Sequence, residues 1–317
     1  MASKVLIIGA CGQIGSELTQ NLREKHGADQ IVAADLKKGN AELMNAGPFE
    51  QLDATDKNAI EAVVEKHNIS EVYQLAAMLS GTAEKMPMKA WQLNMNSLFN
   101  LLEMGKEEKV DKIFWPSSIA VFGPSTPKEN TPQQTVMEPT TVYGISKQAG
   151  ERWCEYYHKQ YNVDVRSIRY PGLLSYKTAP GGGTTDYAIE IFEHALKTQS
   201  YTCFLEKDMA LPMMFMDDAI RATVELMENP SENIKVRSSY NLAGIRITPE
   251  DLAASIREEI PGFKLDVNTD FRQQIAETWP SSIDDSTAQK DWGWSPKFDL
   301  KKVTETMLKG MREVHSL

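Results

Sequence analysis

The chain of 317 residues predicts an α/β fold, a doubly wound parallel sheet with a smaller C-terminal α/β lobe. Three observations predict it. Short β-rich runs alternate with amphipathic stretches through residues 1–172, and alternation at this spacing implies βαβ units, hence a parallel sheet with helices on both faces. The first run, Val5-Leu6-Ile7-Ile8, is continuously apolar, as a strand covered on both faces requires. After Gly172 the alternation gives way to glycine-rich and polar segments between separate helical stretches.

The elements follow in order. Residues 13–26 read as a helix that begins at a glycine turn, and Gln30-Ile31-Val32-Ala33-Ala34 as the second strand. Residues 57–67 form a helix with Ile60, Val63 and Val64 on one side, followed by the strand Val72-Tyr73-Gln74-Leu75. A long helical stretch spans 88–109, a strand Lys112-Ile113-Phe114-Trp115, a helix 144–161, and a further strand 164–169. In the second half, 186–197 and 217–228 look helical. Residues 248–260 open with Thr248-Pro249-Glu250-Asp251, a capping hydroxyl, a proline at the first helical position and acids in the first turn. Turns and a last helix complete 281–317. The expected division is 1–172 with returning segments near 213–245, and a lobe of 173–317 interleaved with it.

Composition narrows the function. Lys plus Arg number 34 against 44 Asp plus Glu, a net charge of −10. That balance argues against a nucleic-acid or anionic-membrane partner, which calls for a basic footprint. Hydrophobic residues at 41% and charged residues at 25% exclude disorder over most of the chain. Cys11, Cys154 and Cys203 are far apart, so neither a disulfide framework nor a zinc site is expected, and a reducing cytoplasm is the simple expectation. Met1-Ala2-Ser3-Lys4 runs straight into the first strand, with no leader peptide visible, and no apolar stretch approaches the ~20 residues that span a bilayer. The five histidines are scattered without ligand spacing, so no metal is expected.

The first strand runs directly into Gly9-Ala10-Cys11-Gly12-Gln13-Ile14-Gly15. In this GxxGxxG spacing, the first glycine permits a tight turn, the second lets backbone approach a pyrophosphate, and the third lets helix pack on strand. The helix N-terminus then presents free N–H groups and a positive dipole end to phosphates. These are the marks of a Rossmann-type sheet. Asp35 lies twenty residues after Gly15, at the end of the second strand, where a carboxylate accepts from both adenosine ribose hydroxyls and repels a 2′-phosphate. NAD is therefore the expected cofactor. Lys37 and Lys38 follow closely without removing that carboxylate. Asp53, ending the expected third strand, either bonds the adenine amino group or caps a helix in a polar turn.

Tyr143-Gly144-Ile145-Ser146-Lys147 sets a tyrosine and a lysine at i and i+4, on one helix face. A tyrosine hydroxyl titrates near ~10, too high for a base at neutral pH, and a nearby cation favours the phenolate. The same ammonium is suited to holding a ribose hydroxyl. Upstream, Trp115-Pro116-Ser117-Ser118 ends a strand in two serines at the carboxyl edge of the sheet, where open α/β sheets bind ligands. A serine there can bond the oxygen that Tyr143 deprotonates.

With these residues in place the chain resembles the extended short-chain dehydrogenase/reductase family, over nearly its whole length. The resemblance rests on GxxGxxG at 9–15, Asp35, Asp53, Leu75-Ala76-Ala77, Asn94, Ser-Ser-x-x-Val-Phe-Gly, YxxxK and Arg169-Tyr170-Pro171-Gly172. It implies Ser118, four residues before Phe122, as the serine partner of Tyr143 and Lys147. It also implies Leu75, Ala76 and Ala77 lining the cofactor and Tyr170 passing beside the nicotinamide. Gly181-Gly182-Gly183-Thr184-Thr185-Asp186-Tyr187, Leu211 to Asp218 and Trp279 to Asp285 look like the L-threonine 3-dehydrogenase branch of that family. The implied reaction oxidises the threonine 3-hydroxyl with NAD, Tyr143 acting as base. Ser80, Thr184, Thr185 and Asp186 are then candidates for the substrate's carboxylate or ammonium, with loop solubility and helix capping as the plainer alternatives. Thr185 in particular could cap a helix starting at Asp186. Trp279 shields the site or fills the lobe's core, and the glycines at 181–183 close over substrate or merely connect. Helix 144–161 carries Trp153, Tyr156, Tyr157 and Tyr161, and helix 88–109 carries Trp91, Met95, Leu98, Leu101 and Leu102, most of them expected in the core. In this family the two helices also pair across a two-fold axis, which implies a homodimer. A sugar-nucleotide epimerase or dehydratase is the alternative, and a non-catalytic dinucleotide-binding protein the next.

Overall fold

The computed structural model describes residues 4–177 and 181–315. The expectation for Met1 to Ser3 lies outside the described residues. Six strands form one parallel sheet: β1 (Lys4–Ile8), β2 (Ile31–Asp35), β3 (Phe49–Gln51), β4 (Ile69–Gln74), β5 (Lys112–Phe114) and β6 (Asp164–Arg166). Their spatial order is β3-β2-β1-β4-β5-β6, so the winding reverses between β1 and β4. Ile8 pairs with Ala34 on one side and Gln74 on the other, which brings the ends of β1, β2 and β4 level at this reversal. Ligands of open α/β sheets bind outside the strand ends at such a point.

The helices expected from periodicity are present: α1 (Gln13–His26), α2 (Lys57–His67), α3 (Pro87–Lys106) and α4 (Val142–Tyr161). The all-apolar β1 explains itself in the packing. Leu6 and Ile8 face a cluster with Val63 of α2, Leu98 of α3 and Cys154 of α4, whereas Val5 and Ile7 face Leu18 and Leu22 of α1. Each such fully buried aliphatic contributes about 1.5–3 kcal/mol.

The expected strand 164–169 proves to be two. Asp164–Arg166 belongs to the main sheet, while Ile168–Tyr170 pairs with Ser117–Ser118 and Tyr240–Asn241 in a second one. Pro116 has no N–H to continue the ladder, so pairing lapses after the Trp115 N–H reaches the Arg166 carbonyl at 3.0 Å and resumes at Ser117. That offset turns Ser118 off the main sheet.

The C-terminal half contributes α5 (Tyr187–Lys197), α6 (Met216–Glu228), α7 (Pro249–Glu259) and α8 (Leu300–His315). Thr248 caps α7 in a capping box, its hydroxyl accepting from Asp251 N at 3.0 Å while Asp251 Oδ2 accepts from Thr248 N at 2.9 Å. α6 packs back onto the α1 face of the main sheet, with Ala219 and Ile220 in the same cluster as Ile7. α5, α7 and α8 enclose a separate core with Phe192, Ile256, Met307 and Trp279.

Candidate active site

The glycine loop leaves β1 with Gly9 at φ +90°, and a Cβ on it would lie 2.6 Å from the Ala76 backbone nitrogen. At Gly15 a Cβ would meet the Gly9 carbonyl at 2.1 Å. These two glycines let α1 start directly against the strand ends. Gly12 differs: it is exposed, and a Cβ there would meet only the Gly9 carbonyl at 3.3 Å. The open side of the loop is thus at Gly12, where α1 begins with no side-chain cap and no acid in its first turn. Gln13 Nε2 is buried there without a hydrogen-bond partner. An uncapped helix end with an unpartnered amide suits a dinucleotide pyrophosphate.

Asp35 stands beside this loop. Its Oδ2 accepts from Cys11 N at 3.0 Å and its Oδ1 from Lys37 N at 3.2 Å, so the carboxylate ties the end of β2 to the glycine turn. Asp53 is exposed and folds back on its own turn, accepting from the amide and hydroxyl of Thr55, both at 2.8 Å. The N-cap of α2 is Asp56, not Asp53. Asn94 is buried on α3 and fully engaged. It accepts from Met78 N at 2.8 Å and donates to the Met78 carbonyl at 3.2 Å and Ser146 Oγ at 3.1 Å. It clamps the segment that follows Leu75-Ala76-Ala77 to α4. Tyr170 is buried against α6 with its hydroxyl bonded to Thr223, so its side chain points into the core.

Tyr143, Ser118 and Lys147 do meet. Thr141 caps α4 through Gly144 N at 3.0 Å, and Glu84 accepts from Val142 N at 2.7 Å, fixing the helix start. The Ser118 hydroxyl lies near enough to that of Tyr143 to favour its phenolate. Ser118 Oγ also accepts from Ala120 N at 3.2 Å. Lys147 is 2% exposed; its Nζ donates to the Pro116 carbonyl at 2.6 Å and lies 4.4 Å from the Trp115 ring centroid and 5.5 Å from that of Tyr143.

The electrostatics of this protein alone differ from the expectation that Lys147 draws the tyrosine down. Burial pushes Tyr143 up to about 12, with the Ser118 bond opposing it. Burial pulls Lys147 down to about 7, opposed by the charge of Glu151 and by Cys154. Desolvation disfavours both charged forms, and a cation 5.5 Å away over the ring does not offset it.

Sequence reasoning missed the small residues that make this meeting possible. A Cβ on Gly144 would sit 2.1 Å from the Ala120 carbonyl, and one on Gly150 would sit 2.3 Å from the Trp115 ring. These glycines let α4 lie against the Trp115–Ala120 segment. The signal was present, since a glycine inside a helical pattern marks close approach. Glu151 was also missed: it is fully buried one turn beyond Lys147 and bonded to Ser117 and Arg169.

Among the substrate candidates, Ser80 is buried at the start of the short helix Ser80–Ala83. A Cβ on Gly81 would lie 2.5 Å from the Gly182 carbonyl, so this helix touches the Gly181-Gly182-Gly183 segment. Asp186 accepts from Gly182 N at 2.8 Å and Gly183 N at 2.7 Å. Asp186, not Thr185, precedes α5, and it lacks a side-chain cap bond to the helix. Thr184 is buried, while Thr185 borders Gly172, whose Cβ position is 2.8 Å from its methyl. Trp279 fills the lobe's core, in the cluster against which Tyr143 packs.

The family model described as NAD dependent epimerase/dehydratase matches residues 5–243. An uncharacterized epimerase/dehydratase from Staphylococcus haemolyticus is 46% identical over 98% of both chains. A partial consensus L-threonine 3-dehydrogenase superposes with a TM-score of 0.96 at 56% identity, covering 98% of this chain and 99% of that one. The holo form of the L-threonine dehydrogenase from Cupriavidus necator gives 0.95 at 55%, covering 97% and 99%. The expected Rossmann-type sheet and NAD agree with these matches. With its reversal point and the glycine turn after β1, this chain belongs to the NAD-dependent epimerase/dehydratase family.

Proposed function

We propose that this chain oxidises the 3-hydroxyl of L-threonine, giving 2-amino-3-ketobutyrate. The observation that carries the chemistry is the Ser118 hydroxyl set beside that of Tyr143, where it favours the phenolate, with the Lys147 side chain 5.5 Å from the tyrosine ring centroid. The likeness to L-threonine dehydrogenases at 55–56% identity supports the substrate. Bound NAD supplies the hydride acceptor. Gly12, Gln13 and the free end of α1 would hold its pyrophosphate, Asp35 its adenosine ribose. Tyr143 takes the hydroxyl proton as general base. Ser118 donates to the same oxygen and holds it as it becomes a carbonyl. Lys147 holds a ribose hydroxyl and, when charged, favours the phenolate. Ser80, Thr184 and the Gly181–Asp186 loop meet the amino-acid end, in a lobe set against the nucleotide half.

The test is NADH absorbance at alkaline pH with NAD and L-threonine, with L-allo-threonine, UDP-glucose and UDP-galactose as separate trials. NADH on L-threonine alone is the expected result. Conversion of a UDP-sugar with none of L-threonine would overturn the substrate assignment while leaving the family intact. We further propose that α3 and α4, which expose Trp91, Trp153, Tyr156 and Tyr161 side by side, pair with a second copy. Sedimentation of a single monomeric species at micromolar concentration would sink that homodimer.

A further inference from the structure

We infer that Glu151 is a positioning residue for the catalytic pair, holding the Pro116-Ser117-Ser118 segment in register against α4. The inference rests on the reaction proposed above. Tyr143, Lys147 and Glu151 recur every four residues along α4, so they share one helix face. The Glu151 carboxylate is fully buried and fully used. Its Oε1 accepts from Ser117 Oγ at 2.7 Å and from Arg169 Nε at 2.8 Å, and its Oε2 accepts from an Arg169 terminal nitrogen at 2.8 Å. Arg169 is anchored further by Asn241 Oδ1 and the Gln133 carbonyl, both at 2.9 Å.

Ser117 stands between the two groups that define the site. On one side the Pro116 carbonyl receives Lys147 Nζ; on the other Ser118 lies beside Tyr143 and favours its phenolate. The same carboxylate grips the paired strand, since Ser117 is opposite Arg169 in the ladder. One buried acid therefore ties helix and both strands at the residue between two catalytic contacts. A Ser117 bond alone would serve packing; a bidentate arginine on the paired strand sets the register as well. Around Lys147 the titratable or charged groups are Tyr143, Glu151 and Cys154 on α4, with Arg169 behind Glu151. Cys154 and Glu151 both favour the Lys147 ammonium, against the larger effect of burial.

The experiment compares wild type with Glu151→Gln and Ser117→Ala, each also carrying Tyr143→Phe in a parallel series. With NAD bound, the ultraviolet difference between each protein and its Tyr143→Phe partner follows the Tyr143 phenolate without any substrate. NADH fluorescence checks that the nucleotide site is intact. In Glu151→Gln the phenolate is expected to form at higher pH, and kcat on L-threonine to fall about 10- to 100-fold with KM little changed. In Ser117→Ala, which leaves the Arg169 pair in place, kcat is expected to fall by about two- to tenfold. NADH binding is expected to survive in both. Wild-type titration and kcat in a Glu151→Gln protein that binds NADH normally would overturn the inference. Should Glu151→Gln fail to fold, an unchanged Ser117→Ala would overturn it. A wild type inactive on L-threonine would sink the proposed reaction, and the phenolate titration would still decide the role of Glu151.

Discussion

Lys147→Met puts the charge state of the buried lysine to a thermodynamic test. The side chain is 2% exposed, and burial lowers its pKa from 10.5 to about 7. At ~1.36 kcal/mol per pH unit, that drop sets roughly 5 kcal/mol against the ammonium in the folded NAD-free protein. Between pH 7 and 10.5 the unfolded chain binds the proton and the folded one does not, so wild-type stability rises with pH through that window. Below about pH 7 both states are charged and the whole penalty is present; above the unfolded value it is gone. Methionine matches the stem without a charge, but it leaves the Pro116 carbonyl without its 2.6 Å donor, at a pH-independent cost of about 1–3 kcal/mol. Near pH 7 the variant is therefore expected to be the more stable by roughly 2–4 kcal/mol, with the advantage shrinking by about 2–3 kcal/mol between pH 7.5 and 9.5. Urea unfolding of both NAD-free proteins at fixed ionic strength measures this difference. A difference flat in pH would refute the reasoning, because the lysine would then keep one charge state across the range.

Tyr143→Phe is expected to lower kcat on L-threonine by about 10²–10⁴-fold while NADH affinity holds, since Ser118 keeps its bond from Ala120 N; steady-state kinetics with fluorescence titration decide it. Gly15→Ala would force a methyl to 2.1 Å from the Gly9 carbonyl, so loss of NADH binding and a lower melting temperature are expected; wild-type affinity would contradict the tight turn. Glu17, on α1, is buried and bonded to Ser175, and burial raises its pKa above 4.5 despite Lys177 at 3.5 Å. The folded state then holds its proton more tightly than the unfolded one, so wild type should lose stability relative to Glu17→Gln as pH rises past about 4.5. Unfolding midpoints from pH 4 to 7 that move in parallel would refute this.

The parts of the site that lie on one short stretch of chain are legible in the sequence. Gly9 to Gly15 carries its turn, its helix start and its close approach to the neighbouring strand within seven residues. Tyr143 and Lys147 share a face through helix geometry alone. Thr248 announces its helix because a cap acts over three residues. Asp53 is ambiguous on the same local grounds, and its carboxylate proves to serve its own turn. The cap position falls on Asp186 rather than Thr185, and Asp186 makes no cap bond because the Gly182 and Gly183 amides claim its carboxylate.

The sequence by itself determined the parallel sheet, the nucleotide loop and the candidate hydroxyls, because periodicity, capping and turn chemistry act over a few residues. Only the tertiary structure decided how those hydroxyls are held. The lapse at Pro116 moves Ser118 to a second sheet, Gly144 and Gly150 admit it against α4, and Glu151 binds across to Ser117 and Arg169. Burial then opposes the charged forms of both Tyr143 and Lys147. Desolvation and close packing depend on atoms distant in the chain, and no local pattern encodes them.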